Sequence, residues 1–334
     1  MLKWVAGLVT IVLFACSDSQ STRVQRFLLQ GNDQAQKGND AQAIDYYRAA
    51  LKLDSCFADA WNNLGTVYYH QKNYEEALMS YDNALSCREG YIEALLNRSN
   101  TNYELKQFYS ALKDLDKVFE MAPDTMVVHF SRGLIYTQLR EFPQAIASFR
   151  TALKKDSDNP EIMVNLGTVY FYRKDLDSAR VELDRALKIN PQEANAYNTL
   201  ALLETEQGHY DEAMGYINKA LELKTHDPYF LNNRGYIFLL KNDPDRGLTD
   251  INESIMLDPY NAWAYRNKGL YYLKRADAPN AIRMLTQAVE MNDFIDKAHF
   301  YLAEAYLANG EKEKACEQFR LALEKKEITT GGCR

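Results

Sequence analysis

Glycine and proline are scarce in this 334-residue sequence, at 15 and 8 copies. That scarcity excludes collagen-like and loop-dominated chains and leaves room for long regular elements. Long apolar runs are missing after the first fifteen residues, so no spanning helix is expected beyond them. An excess of positive charge is missing as well. With 39 Lys and Arg against 46 Asp and Glu, the net charge is −7. A general nucleic-acid binder would need basic surface to neutralise phosphates, so no nucleic-acid partner is expected. The sequence also lacks GxxxxGK, HExxH and CxxC. Its histidines show no spacing that converges on a metal: His129 and His299 fall at core-edge positions, and His70, His209 and His226 are scattered. Carboxylates are plentiful but fall on faces that read as solvated. Neither catalysis nor a cofactor nor a metal is expected.

The first residues do not read as fold. MLK carries one positive charge, WVAGLVTIVLF is an eleven-residue apolar run, and AC follows. The run is too short for an ordinary spanning helix and fits the h-region of a secretory signal, so residues 1–15 read as a signal peptide. LFAC at 13–16 resembles the lipobox of bacterial lipoproteins, with Phe14 where a small residue is usual. The resemblance implies that Cys16 is lipidated and anchors the chain to a membrane; an uncleaved N-terminal anchor is the other reading. Residues 16–23, Cys16 followed by a polar stretch without periodicity, read as a tether. Seven residues span at most ~25 Å, which keeps the folded part close to the membrane. Asp18 lies two residues after Cys16, unlike an inner-membrane retention signal. The outer membrane facing the periplasm is therefore the expected location, with the cell surface as the alternative.

An internal period governs everything that follows. Small residues recur every 34 positions at Ala43, Ala77, Ala111, Ala145, Ala179, Ala213, Gly247, Ala281 and Ala315. Seven residues later runs a second series: Ala50, Ala84, Val118, Ala152, Ala186, Ala220, Ser254, Ala288 and Ala322. A third series lies twelve residues before the first: Gly31, Gly65, Ser99, Gly133, Gly167, Ala201, Gly235, Gly269 and Ala303. Nine units result without insertion or deletion: 24–57, 58–91, 92–125, 126–159, 160–193, 194–227, 228–261, 262–295 and 296–329, with a tail at 330–334. Each unit reads as two helices, A and B. Small residues let them approach, and large ones such as Trp61, Tyr68 and Tyr81 fill the space around the contact. Pro123, Pro191 and Pro259 share one place, the end of helix B. A single unit cannot bury both of its faces, so stacking supplies the core.

The recurring order of a large or aromatic residue, Leu-Gly, Tyr, Ala, an aromatic, Ala and Pro resembles the tetratricopeptide repeat over residues 24–329. That resemblance implies an all-α, right-handed superhelical solenoid whose A helices line a concave groove. It also implies protein or peptide partners and little chemistry. Gln30 and Gln34 depart from the pattern in a way that suits an exposed first cap. Asn102 and Glu204 replace the usual Tyr, which predicts looser packing in units three and six.

Position six of helix A reads Leu29, Asn63, Asn97, Ser131, Asn165, Thr199, Asn233, Asn267 and Tyr301. The row resembles the asparagine ladder in the repeat domain of the O-linked N-acetylglucosamine transferase. An amide both donates and accepts, so such a row can bond the main chain of an extended peptide. The other reading is that these amides solvate the groove or bond a neighbouring helix. Tyr69, Tyr103, Phe130, Phe171, Tyr172, Tyr236, Trp263 and Phe300 are candidates for side-chain pockets. Groove charge is uneven, with Asp59, Glu93, Glu104, Glu161 and Glu206 in units two to six. Arg266, Lys274 and Lys297 in units eight and nine make a basic end suited to a carboxylate or an acidic segment. The five-position clamp of chaperone-binding family members is not matched in any three-unit window.

Antiparallel helices would bring Cys56, before helix A of unit two, to Cys87, at the end of its helix B. A bridge between them is expected in an oxidising compartment. Cys316 and Cys333 pair only if the tail folds back, and four free thiols is the alternative. The functional expectation is a lipid-anchored envelope scaffold that holds protein segments. The alternative is an accessory subunit that organises an envelope enzyme or secretion complex.

Overall fold

The computed structural model describes residues 19–123 and 125–330; Cys16 and Cys333 lie outside the described residues. Two compact units divide the chain, residues 1–140 and 141–334. The first holds α1 (Gln20–Gln36), α2 (Asp40–Leu53), α3 (Ala58–His70), α4 (Tyr74–Cys87), α5 (Ile92–Glu104), α6 (Phe108–Met121) and α7 (Met126–Gln138). The second begins with α8 (Phe142–Lys155), α9 (Pro160–Tyr172), α10 (Leu176–Ile189), α11 (Ala194–Gln207) and α12 (Tyr210–Leu223). It continues through α13 (Pro228–Leu240), α14 (Pro244–Leu257), α15 (Ala262–Lys274), α16 (Ala278–Met291), α17 (Ala298–Ala308) and α18 (Lys312–Glu324). No strand occurs among the described residues, and none of their helices is long and apolar enough to cross a membrane.

Within the first unit α1 packs on α2, α3 on α4 and α5 on α6 as hairpins, and each hairpin stacks on the next. The second unit repeats the arrangement from the α9–α10 hairpin to α17–α18. Every residue of the three small series is buried, which explains the 34-residue period: each marks a place where one helix touches another. The third series makes the closest approach. A Cβ added to Gly31, Gly65 or Gly269 would stand 2.4, 2.7 or 2.4 Å from the side chain of Tyr47, Tyr81 or Leu285. Gly269→Val is therefore expected to destabilise the α15–α16 hairpin by roughly 1–3 kcal/mol, because Leu285 is fully buried and cannot swing clear. Amide hydrogen exchange in α15 and α16 measures that loss, and unchanged protection would show that the hairpin spreads freely.

The A-to-B turns share a feature that the period alone does not announce. Each passes through one left-handed residue, with φ between +55° and +82°. Glycine fills it at Gly38, Gly208 and Gly310, where the conformation carries no steric cost. Lys72, Lys106, Arg140, Lys174, Asn242 and Ala276 hold it in the other repeats, at roughly 1–2 kcal/mol each for the non-glycine, non-asparagine cases.

Three expectations need correction. Helix α1 begins at Gln20, so the last four residues assigned to the tether belong to the first helix. Ser19 caps it by accepting the Thr22 N–H, and the Gln20 amide reaches the Leu53 carbonyl at the end of α2. Unit six is not loosened by Glu204. Its buried carboxylate takes a hydrogen bond from Arg180 and lies 2.9 Å from His209 Nδ1, so polar contacts fill the place of the missing Tyr. Helix α17 begins at Ala298, which leaves Lys297 at its N-cap with φ +61° instead of inside a helix facing a groove. The Glu327 carboxylate, arriving from beyond α18, accepts the Phe300 N–H at 2.9 Å and occupies that helix start.

Candidate functional site

The A helices lie side by side within each unit, α1–α3–α5 in the first and α9–α11–α13–α15–α17 in the second. Side chains at position six therefore face the A helix of the preceding repeat. Asn63 Nδ2 donates to Asn32 Oδ1 at 2.8 Å, Asn97 to Asn62 at 3.0 Å, Asn233 to Asn198 at 2.8 Å and Asn267 to Asn232 at 2.7 Å. The Thr199 hydroxyl lies 3.2 Å from that of Thr168, and Asn165 donates to the Glu161 carbonyl of its own helix at 2.9 Å. Four amides of the row thus bond the neighbouring helix, and Asn267 also reaches the Asn232 carbonyl at 3.4 Å. Asn267 is 1% exposed, whereas Asn63, Asn97, Ser131, Asn165 and Asn233 are half-buried. Three acceptors, Asn62, Asn198 and Asn232, stand 35 residues before their donors, at position five. The doublets Asn62-Asn63 and Asn232-Asn233 carried that signal, and a row read at position six alone missed it.

The charges separate into paired and unpaired groups. Asp59 accepts from Arg88 at 3.0 and 2.8 Å and from the Tyr91 hydroxyl at 2.8 Å. The Arg88 hydrogen bond holds its carboxyl below the usual range despite partial burial. Glu206 pairs with Lys174 at 3.0 Å. Glu93, Glu104 and Glu161 are exposed.

At the basic end the structure differs from a solvent-facing cluster. Arg266 is 6% exposed, with its guanidinium carbon 4.6 Å from the Tyr236 ring centre, 5.2 Å from Trp263 and 5.9 Å from Tyr301. Its Nε and Nη1 have no hydrogen-bond partner, and the rings supply its stabilisation through cation–π attraction. Lys274 is exposed and Lys297 half-buried.

Two hollows open on the A-helix face of the first unit. One, of about 190 Å³, is lined by Tyr69, Asn100, Tyr103, Glu104, Ser131 and Ile135 among others. The second, of about 210 Å³, includes Asn32, Asn63, Tyr47 and His70. Cys56 and Cys87 form a disulfide with their Cα atoms 5.3 Å apart. Cys316 is not a free thiol, while Cys333 lies outside the described residues. Among the described residues no group of three or more His, Cys, Asp or Glu could hold a metal.

Models of the tetratricopeptide repeat match residues 28–91, 96–160 and 266–327, and a second such model matches 136–203 and 173–232. Among solved structures, the chain is similar to Pseudomonas aeruginosa pilF, at 22% identity and TM-score 0.54, covering 63% of this chain and 96% of that one. It is also similar to the APC/C hetero-tetramer Cut9-Hcn1, at 16% identity and TM-score 0.54, covering 92% of this chain and 74% of that one. At such identities the likeness concerns the fold alone. No curated protein gives a significant match. With buried small residues at every predicted helix contact and repeat models matching more than half of its length, the chain belongs to the tetratricopeptide repeat family.

Proposed function

We propose that this protein is a lipid-anchored envelope scaffold that binds segments of other proteins along its A-helix face and performs no catalysis. Family membership supports protein–protein interaction as the class of function. The observation that carries the binding face is the 190 Å³ hollow beside Tyr69, Tyr103 and Ser131. It is lined by several positions that the sequence assigned to the groove, and it combines aromatic walls with polar groups as peptide-binding surfaces do. The half-buried row amides Asn63, Asn97 and Asn233 each donate to one acceptor on the neighbouring helix. Their second N–H is the group that would reach a bound main chain. Anchoring rests on the lipobox-like LFAC at 13–16.

The test places a photo-crosslinking residue at position 103, on the A-helix face, or at position 79, where Met79 is exposed on α4. Irradiated cells are then fractionated. A protein adduct that forms at 103 and not at 79, in the membrane fraction, is the expected result. In Cys16→Ser the chain is expected to leave that fraction or to accumulate as a precursor. Adducts formed only at 79 would move the binding surface to the B helices. Membrane attachment with mature processing intact in Cys16→Ser would overturn the anchor.

A further inference from the structure

The 190 Å³ hollow of the first unit has a chemistry more specific than that of a general peptide groove. Tyr69 and Tyr103 come from the same position of successive A helices, α3 and α5, and form two of its walls. Leu134 and Ile135 of α7 line it too, and Asn100, Ser131 and Glu104 contribute polar groups. The Tyr103 hydroxyl accepts from Gln138 at 3.2 Å, and its ring packs 5.7 Å from that of Phe108, so this wall is held in place. Tyr69 is held likewise by Tyr74, with ring centres 5.6 Å apart.

Glu104 sets the sign of the hollow. Asp59, the acidic groove residue of α3, is neutralised by Arg88, whereas Glu104 closes α5. Glu104 has no ion-pair partner among the described residues, and no Lys or Arg lines the hollow with it. Its charge is felt by the surrounding phenols. Burial first and the Glu104 charge next push Tyr69 and Tyr74 up, and the same charge adds to the effect of burial at Tyr103. A carboxylate without an ion-pair partner, lining one hollow with two fixed aromatic rings, attracts a cation by its own charge, and a ring face turned to the cation adds its quadrupole. The volume is that of about six waters, room for one long side chain and not for a folded element.

We infer that this hollow is a subsite for a lysine or arginine side chain of the bound segment, which enters between Tyr69 and Tyr103 and pairs with Glu104. The inference rests on the A-helix face being the binding face and adds the class of residue that the partner presents there. Asn100 and Ser131 then accept or donate beside the entering group. The aliphatic part of the side chain lies against Leu134 and Ile135, as long basic side chains do on apolar surface.

The test titrates N-acetyl-lysine amide, N-acetyl-arginine amide and N-acetyl-norleucine amide into the isotopically labelled full chain and follows amide shifts. The basic probes are expected to shift Tyr69, Tyr103, Glu104 and Ser131, with norleucine binding at least about tenfold more weakly. Glu104→Gln, a change at an exposed position, is expected to remove most of that preference while leaving norleucine unaffected. Stronger binding of lysine than arginine, or the reverse, identifies which residue the segment carries. Equal binding of norleucine and the basic probes would overturn the inference, as would a lysine preference that survives Glu104→Gln, or no shift at the hollow. The crosslink at position 103 reports the face and not the charge. A protein adduct there together with equal norleucine binding would overturn the cation subsite alone.

Discussion

Asp114→Ala is expected to destabilise the α5–α6 hairpin by about 1–3 kcal/mol, the range for leaving a partly buried donor without its acceptor. Arg98 Nε and Nη2 donate to the two Asp114 oxygens at 2.9 and 2.6 Å, and the Asp114 side chain is only 4% exposed. Without Asp114 the guanidinium keeps one acceptor, Asp82, whose side chain is 62% exposed and screened by solvent. The cost comes from the stranded charge and not from the net strength of the pair. The combined variant Arg98→Leu, Asp114→Ser should therefore recover most of the loss. Leu64, Leu166 and Leu200 stand at the position of Arg98 in other repeats, and Ser80 and Ser148 at the position of Asp114, so the fold already accommodates both. In a repeat array the effect stays local, and amide exchange in α5 and α6 is the measurement of choice. Equal losses in the single and combined variants would mean that packing, not the stranded guanidinium, sets the cost.

The second large effect belongs to the Cys56–Cys87 disulfide. Its sequence separation of 31 residues gives about 3–4 kcal/mol in chain-entropy models. The bridge ties the start of α3 to the end of α4, where Arg88, the next residue after Cys87, reaches back to Asp59 in the first turn of α3. Bridge and ion pair hold the same two helix ends. The Cys56→Ser, Cys87→Ser variant is expected to lose protection in α3 and α4 while α9 to α18 keep theirs, measured by amide exchange.

The variant should also become more acid-sensitive. Asp59 has a depressed folded-state pKa, so its contribution is complete above the unfolded carboxylate value near ~3.9 and is lost as pH falls through the lower folded value. The disulfide has no such dependence. Acid titration should therefore unfold α3 and α4 at a higher pH in the variant, which loses the same Asp59 contribution from a smaller total stability.

These contacts differ in how far the sequence exposed them. The helix hairpins were legible because packing makes the same demand in each repeat: a buried small residue where two helices cross. The Arg98–Asp114 pair and its counterpart Arg234–Asp250 occupy identical positions in repeats three and seven. They were visible as paired departures from Leu, although a reading aimed at what recurs passes over what occurs twice. The Cys56–Cys87 pairing followed from hairpin direction alone. Arg266 misled because its position predicts a groove-facing cation, whereas three aromatic rings from repeats seven, eight and nine close over it. The row asparagines were found, but not their partners one helix away.

By itself, then, the sequence determined the number and order of the helices, the residues at their contacts, and the stacking that lets marginal hairpins share a core. A period reports such features because they are local and identical in each repeat. Only the tertiary structure decided which amides bond a neighbouring helix, which carboxylates are neutralised, and that Glu104 lines one hollow with two tyrosines. Those outcomes depend on which unlike side chains meet across adjacent helices. An electrostatic partnership is set by distance and burial between elements, which spacing along one helix does not encode.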